Sequence, residues 1–309
     1  MTQVSARRTT TTAEQVDFEA EAFKSGRRSG GFGRGRSKYL IGAFLIVICL
    51  VMLMPIVMSV SASLKTTQEA AAVPPTYFPS ELSLVNYQKL WSYGSGMPRY
   101  LTNSIVTAAL TIVLTLALTI PAGYGLARFR IPGKEVIFMF LLVALIIPYQ
   151  ALLTPVFLMF STLGLTNSLI GLAIVHTTIQ LPFSLYVMRN AFESVPHELE
   201  EAAVVDGANS WQVLRRVFLP TMVPAVITVT LFAFVTSWNE FLGALVVLTK
   251  DTSLTLPLVL AAARSVTSLG STDWGMLQAG VTLAIIPCVL VYLLLQKYYV
   301  SGLLSGSVK

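Results

Sequence analysis

Charge is scarce in this sequence: Asp, Glu, Lys and Arg make up 12% of 309 residues, about half of what a soluble domain carries. Cysteine is scarcer, with only Cys49 and Cys288, both inside apolar runs. Neither a disulfide framework nor a thiolate metal site is indicated, and both read as small packing residues. The two histidines, His176 and His197, are far apart in the predicted topology and give no metal pair. No G-x-x-x-x-G-K-[ST], H-E-x-x-H or G-x-S-x-G pattern occurs. The chain therefore has no phosphate-cradling loop of that kind, and no catalytic residue, metal ligand or cofactor of its own is assigned. The net charge of +6 comes without a basic groove interleaved with aromatics, which speaks against nucleic acid as a partner.

What is abundant is apolar sequence, 54% of the residues. Charge-free stretches run from Tyr39 to Leu64, Tyr100 to Ala127, Val136 to Met188, Val217 to Asn239 and Gly275 to Gln296. About 20 apolar residues suffice to cross a bilayer as a helix. The third stretch is long enough for two helices, and its polar dip from Ser161 to Ser168 divides it. The expectation is an all-α polytopic membrane protein with six transmembrane helices, because an open sheet would leave backbone groups unsatisfied in lipid. With the N-terminus inside, sixteen Lys and Arg residues fall on the cytoplasmic side and five outside: Lys65, Lys89, Arg99, Lys250 and Arg264. That asymmetry places both termini in the cytoplasm. Residues 1–38, with a threonine run, an acidic patch and a Gly/Arg segment, read as a disordered basic cytoplasmic arm, followed by one six-span domain over 39–309.

The segment Glu201 to Pro220, E-A-A-V-V-D-G-A-N-S-W-Q-V-L-R-R-V-F-L-P, is a polar island between apolar runs, and the charge count puts it on the inner face. Pro196 suits a first helical turn, Glu198, Glu200 and Glu201 favour a helix N-terminus, and Gly207 after Asp206 is free to turn left-handed. Ser210 is the expected cap of a second short helix. Glu201, Ala202, Ala203, Gly207, Val217, Leu219 and Pro220 match the pattern E-A-A, three residues, Gly, nine residues, aliphatic, one residue, Leu-Pro at every position. This resembles the cytoplasmic signature loop of the membrane-spanning subunits of binding-protein-dependent ABC importers. Residues 39–309 further resemble the maltose-type permeases of the carbohydrate branch. That likeness is carried by Phe78-Pro79, Asn86-Tyr87 and Asn103-Ser104, by Ser237-Trp238-Asn239-Glu240-Phe241, and by the tail from Gln296 through Gly302 to Lys309.

The resemblance implies the fold of an ABC type I importer permease in a bacterial or archaeal cytoplasmic membrane, acting on sugars. A permease for another solute, such as glycerol phosphate, fits the same loop. It implies that the loop at 193–220 docks into a separate ATPase through Glu201, Ala202, Ala203, Gly207, Leu219 and Pro220. A second ATPase contact falls on Gly302, Leu303, Gly306 and Lys309 in the tail 297–309. The implied partners are a second homologous permease, two ATPase subunits that bind ATP and Mg, and an extracellular or periplasmic sugar-binding protein. An ion-coupled secondary transporter would need buried coupling carboxylates, and the spans offer Glu240 alone.

Glu240 and Asn239, near the outer end of the fifth span, are expected to line the pore or brace an outer gate, with Trp238 at the interface. Asn103, Gln150, His176 and Gln180 either line the pore or hydrogen-bond a neighbouring helix. Prolines at 55, 121, 148, 155, 182, 257 and 287 are expected to kink spans or their ends. A short apolar piece, Leu254 to Ala263, is expected in the outer loop as an interfacial helix or a face toward the binding protein.

Overall fold

The computed structural model describes residues 36–263 and 272–305, as two compact units divided between Val57 and Met58. The arm expected at 1–38 lies outside the described residues as far as residue 35. The first unit's described part belongs to helix α1, Arg36–Ser63, which contains Pro55. The second is built from α2 (Val85–Trp91), α3 (Met97–Arg128), α4 (Lys134–Val143), α5 (Leu153–Thr162), α6 (Leu169–Ser194), α7 (His197–Val205), α8 (Val223–Asn239), α9 (Leu242–Val247), α10 (Leu256–Ala263) and α11 (Trp274–Ser305). No strand occurs among the described residues.

Among the described residues four helices, α1, α3, α6 and α11, are long and apolar enough to span a membrane, and the number of such spans rises to six when each of two bent pairs counts as one. A kink is expected at Pro148, but both bends are far sharper than a proline kink in a continuous span. The third span turns by 93° between Ile146 and Tyr149, and the fifth by 79° at Met222. Pro148 explains the first break, since it supplies no N–H and disfavours helical backbone at Ile147, which is extended at ψ 119°. Pro224 sits in the first turn of α8 and fixes its start just after the second bend.

The centre of the second unit is the pairing of α3 with α6. Along α3, Thr107, Thr111, Thr115, Thr119 and Gly123 recur every four residues and are buried. Such a stripe lets two backbones approach closely where lipid gives no hydrophobic push between helices. Thr111 and Thr119 donate their hydroxyls to the carbonyls of Thr107 and Thr115 at 2.8 and 2.7 Å, which satisfies those two hydroxyls. At Gly123 a Cβ would stand 2.9 Å from Met188 Cβ and 3.2 Å from Arg189 N. Replacing Gly123 by valine is expected to push α3 off α6, at a cost of about 1–3 kcal/mol, and to lower the detergent-solubilised melting temperature. An unchanged melting temperature would refute this account of the contact.

Toward the expected outer side, Leu90, Met97, Phe234, Trp238, Leu256 and Met276 form one apolar cluster. Trp238 is not interfacial: it is 2% exposed, stacks on Phe234 and donates its indole N–H to Ala284 O at 3.1 Å. Helix α10 is likewise no surface helix, since Leu256, Leu258, Val259, Leu260 and Ala263 are buried. Its sequence is apolar on every side, which suits a helix packed between neighbours. The loop before it is tied to α3 through Asp251, which accepts from Tyr100 Oη at 2.8 Å and from Ser95 Oγ. These hydroxyls, Ser95 first, hold the Asp251 carboxyl below the usual range.

Candidate functional site

The signature segment folds as two short helices lying across the end of the α3–α6 pair. Pro196, at φ −56° and ψ 141°, stands just before α7 rather than inside it, and Glu198 and Glu200 occupy the first turn, where carboxylates complement the helix dipole. At the other end Gly207 adopts φ 84°. Its N–H donates to Val204 O at 2.9 Å and that of Ala208 to Ala203 O at 3.0 Å, the paired bonds of a Schellman termination. A Cβ on Gly207 would meet nothing within 4 Å, so the glycine is required by backbone conformation and not by crowding within this chain.

The cap of the next helix is Asn209 and not Ser210. Asn209 Oδ1 accepts from Gln212 N, and Gln212 Oε1 accepts from Asn209 N, both at 2.9 Å, forming a capping box. Ser210 thereby becomes the first helical residue. A single π-helical stretch follows at Leu214–Phe218, then Leu219–Thr221 and the bend into α8. The apolar side of this hairpin, Val213, Leu214 and Phe218, is buried with Tyr124, Met188, Phe192, Val195 and Met222. Ala203, Val217 and Leu219 pack half-buried against the same cluster.

The opposite side is open. Glu201, Ala202, Gly207 and Pro220 are exposed, together with Leu199, Val204, Val205 at 87% and Trp211 at 66%. Of the six residues singled out in the loop, Ala203 and Leu219 thus anchor the hairpin, and the other four face outward. Large apolar side chains standing beside carboxylates on a predicted aqueous face form the kind of patch that marks a protein contact.

One residue that sequence reasoning passed over holds the hairpin in place. Arg128, the last residue of α3, has a side chain only 2% exposed. Its Nη2 donates to Phe192 O at 2.5 Å and to Val195 O, caps for the last carbonyls of α6. Its Nη1 lies 2.9 Å from His197 Nδ1 and 3.6 Å from Glu200 Oε2, and its guanidinium sits 4.8 Å over the Phe218 ring. Tyr124 Oη, one turn earlier on α3, donates to Glu200 Oε1 at 3.4 Å. The sequence signal was present, as Arg128 ends a charge-free run, but its partners lie more than sixty residues away.

Glu240 occupies a second polar centre, between α8 and α9. It is buried, and its carboxylate accepts four donors: Tyr149 Oη at 2.5 Å, His176 Nε2 at 3.1 Å, Gly243 N at 2.7 Å and Ala244 N at 3.1 Å. His176 is 1% exposed and places Nδ1 2.8 Å from Ser237 Oγ. With Nε2 donating to the carboxylate, the neutral tautomer leaves Nδ1 to accept from that hydroxyl. The cluster joins the broken third span, α6 and the α8–α9 corner. Asn239 next to it is exposed and donates Nδ2 to Val235 O at 2.9 Å. Asn103 donates Nδ2 to Thr252 O and Leu254 O at 3.1 and 2.9 Å, and Gln180 accepts from Thr236 Oγ1 at 3.1 Å. In the tail, the backbone of Gly302 and Leu303 continues α11, whereas Gly306 and Lys309 lie outside the described residues.

Residues 119–304 match the family model described as binding-protein-dependent transport system inner membrane component. The chain is 32% identical over 283 residues to a probable ABC transporter permease protein, YurM, of Bacillus subtilis (strain 168), covering 89% of this chain and 91% of that one. It is also 32% identical over 276 residues to the trehalose/maltose transport system permease protein of Thermococcus litoralis, covering 87% and 95%. A solved structure of a bacterial ABC transporter involved in the import of the acidic polysaccharide alginate superposes with a TM-score of 0.76 at 26% identity, covering 86% of this chain and 99% of that chain.

Proposed function

This chain belongs to the family of binding-protein-dependent transport system inner membrane components, and we propose that within an ABC importer it is one of two permease subunits forming the pathway for a sugar. It is a transporter subunit and not an enzyme. A partner ATPase supplies the energy, binding ATP and Mg on its own chain, and a sugar-binding protein outside delivers the solute. The observation that carries the coupling role is the signature hairpin, with an inner side buried on α3 and α6 and an outer side exposing Glu201, Ala202, Val205 and Trp211. That outer side is the ATPase dock. Closure of an ATPase dimer pulls the two permeases' hairpins together, and the clasp at Arg128 passes the displacement to α3. Coupling of this kind needs an element with two arrangements that both sites bias, and the bent third and fifth spans are suited to supply it. The tail from Gly302 to Lys309 makes a second ATPase contact, and both termini are cytoplasmic.

The sugar class is supported by the trehalose/maltose and alginate relatives. It is tested by asking which solutes raise the melting temperature of the cognate binding protein. Stabilisation by a saccharide is expected, and stabilisation by an amino acid alone would overturn the class. The coupling role is tested with Glu201→Lys and Gly207→Asp in the co-expressed complex. Both are expected to cut ATPase co-purification and uptake at least tenfold while the permease pair still assembles. Glu201→Lys reverses a charge on the docking face, and Gly207→Asp strains a left-handed position as well as charging it. Normal ATPase association and uptake in both variants would sink the assignment.

A further inference from the structure

The break in the third span creates a recess that the coupling mechanism does not use. After α4 the chain passes through a 3-10 turn at Ala144–Ile146, stops at Ile147 and Pro148, and resumes through Tyr149–Leu152 into α5. A cavity of about 350 Å³ opens between this break and α6. Pro148, Tyr149 and Gln150 wall it on one side, and Thr178, Ile179 and Pro182 on the other. The α6 wall lies near the middle of a 26-residue helix, so the recess sits at mid-span. Non-helical backbone at that depth persists only where protein covers it or water lines it.

Its chemistry is polar and uncharged. Gln150 is exposed, and its amide has no hydrogen-bond partner among the described residues. An amide left in hydrocarbon is strongly disfavoured, which argues for an aqueous pathway in front of it. Thr178 is exposed and donates its hydroxyl to Ile174 O at 2.9 Å, leaving its oxygen free to accept. The Tyr149 hydroxyl is committed to Glu240 at 2.5 Å, which fixes the ring as a wall. The residues lining the recess include no Asp, Glu, Lys, Arg or His, and the Glu240 carboxylate behind Tyr149 has its donors already.

We propose that this recess is a subsite for one neutral sugar ring of the transported saccharide, held by the Gln150 amide and the Thr178 hydroxyl against the Tyr149 ring. This rests on the reading of the chain as a sugar permease and adds that this subunit touches the substrate. It also sets a preference: a uronate carboxylate would be desolvated there without a cationic partner, so neutral sugars fit and acidic ones do not.

The test uses the assembled transporter in proteoliposomes, with Cys49 and Cys288 replaced by serine and Gln150→Cys or, separately, Thr178→Cys introduced. Labelling is by a charged, membrane-impermeant methanethiosulfonate, with maltose, trehalose or an alginate trisaccharide present. Both cysteines are expected to react from water, and a neutral sugar that the unmodified assembly imports is expected to slow the reaction at least fivefold, with no slowing by the alginate trisaccharide. Reaction with a lipid-soluble maleimide only, cross-linking to the partner permease without aqueous labelling, or labelling unchanged by an imported sugar would overturn the subsite. Protection by the alginate trisaccharide would overturn the stated preference. Uptake by the unmodified assembly is measured first. Absence of uptake for every sugar sinks the sugar reading and this ligand with it, whereas uptake with unprotected cysteines sinks the subsite alone.

Discussion

Replacing Arg128 by alanine is expected to detach the signature hairpin from α3 and to cost on the order of 3–5 kcal/mol, the range for removing one partner from a buried, charged network. The guanidinium at once caps the carbonyls of Phe192 and Val195, lies near Glu200 and covers the Phe218 ring. Alanine leaves Val195 O without that donor and Phe192 O with only the 3.4 Å bond from Val195 N, and it leaves Glu200 with Tyr124 alone. Lysine keeps the charge but loses the planar fork that reaches two carbonyls together, so Arg128→Lys should recover part of the stability. The decisive reading compares uptake with binding-protein-stimulated ATP hydrolysis in variants that still assemble. Arg128→Lys is expected to hydrolyse ATP with less sugar moved per ATP, because the dock stays exposed while its link to α3 is loosened. An unchanged ratio, with only the amount of protein reduced, would show that Arg128 serves folding alone.

Glu240→Ala is the second large effect expected, because each buried donor left without an acceptor costs about 1–3 kcal/mol. Four donors from the third span, α6 and α9 converge on this carboxylate, and alanine strands all of them in a buried place. Glu240→Gln should cost less but still be clearly destabilising, since an amide offers one accepting oxygen and its NH2 group faces donors. Tyr149→Phe removes a single bond and should cost about 1.5–3 kcal/mol, the range for a hydrogen bond to a charged group. Thermal unfolding of the solubilised complex ranks the three as alanine, glutamine, then Tyr149→Phe. Equal melting temperatures for Glu240→Ala and the unmodified chain would show that the network contributes nothing.

The spans were readable because lipid imposes a length and a composition on them, and charge-free runs mark both. The signature hairpin was readable for a different reason: caps and turns are local, so Gly207 could be assigned its left-handed turn from its neighbours. Where two cap-forming residues stand side by side the local signal divides, and Asn209 wins over Ser210 because Gln212 can reciprocate only with it. Pro148 announces a kink but not its 93°, and the hydrogen bond from Tyr149 beside it to Glu240 joins residues far apart in the chain. An indole such as Trp238 suits an interface and a buried slot equally, and its burial with a bond to the carbonyl of Ala284 favours the slot. Arg128 is marked in the sequence only as the end of a charge-free run, because its partners, two backbone carbonyls with His197, Glu200 and Phe218, lie more than sixty residues away.

The π-helical stretch at Leu214–Phe218 carries one residue more than an α-helical path of the same rise, a widened turn that is rare and tends to occur at functional places. A chain with such a surplus can lose a residue there and close up as ordinary helix, keeping the cap at Asn209 and the bend at Met222 in phase. The same deletion within Ser210–Val213 or early in α8 has no slack to draw on and turns everything beyond it by about 100°, one residue of helix. The loop therefore contains a single point at which its length is negotiable. A scan of one-residue deletions would reveal it as an isolated tolerant position within an intolerant segment.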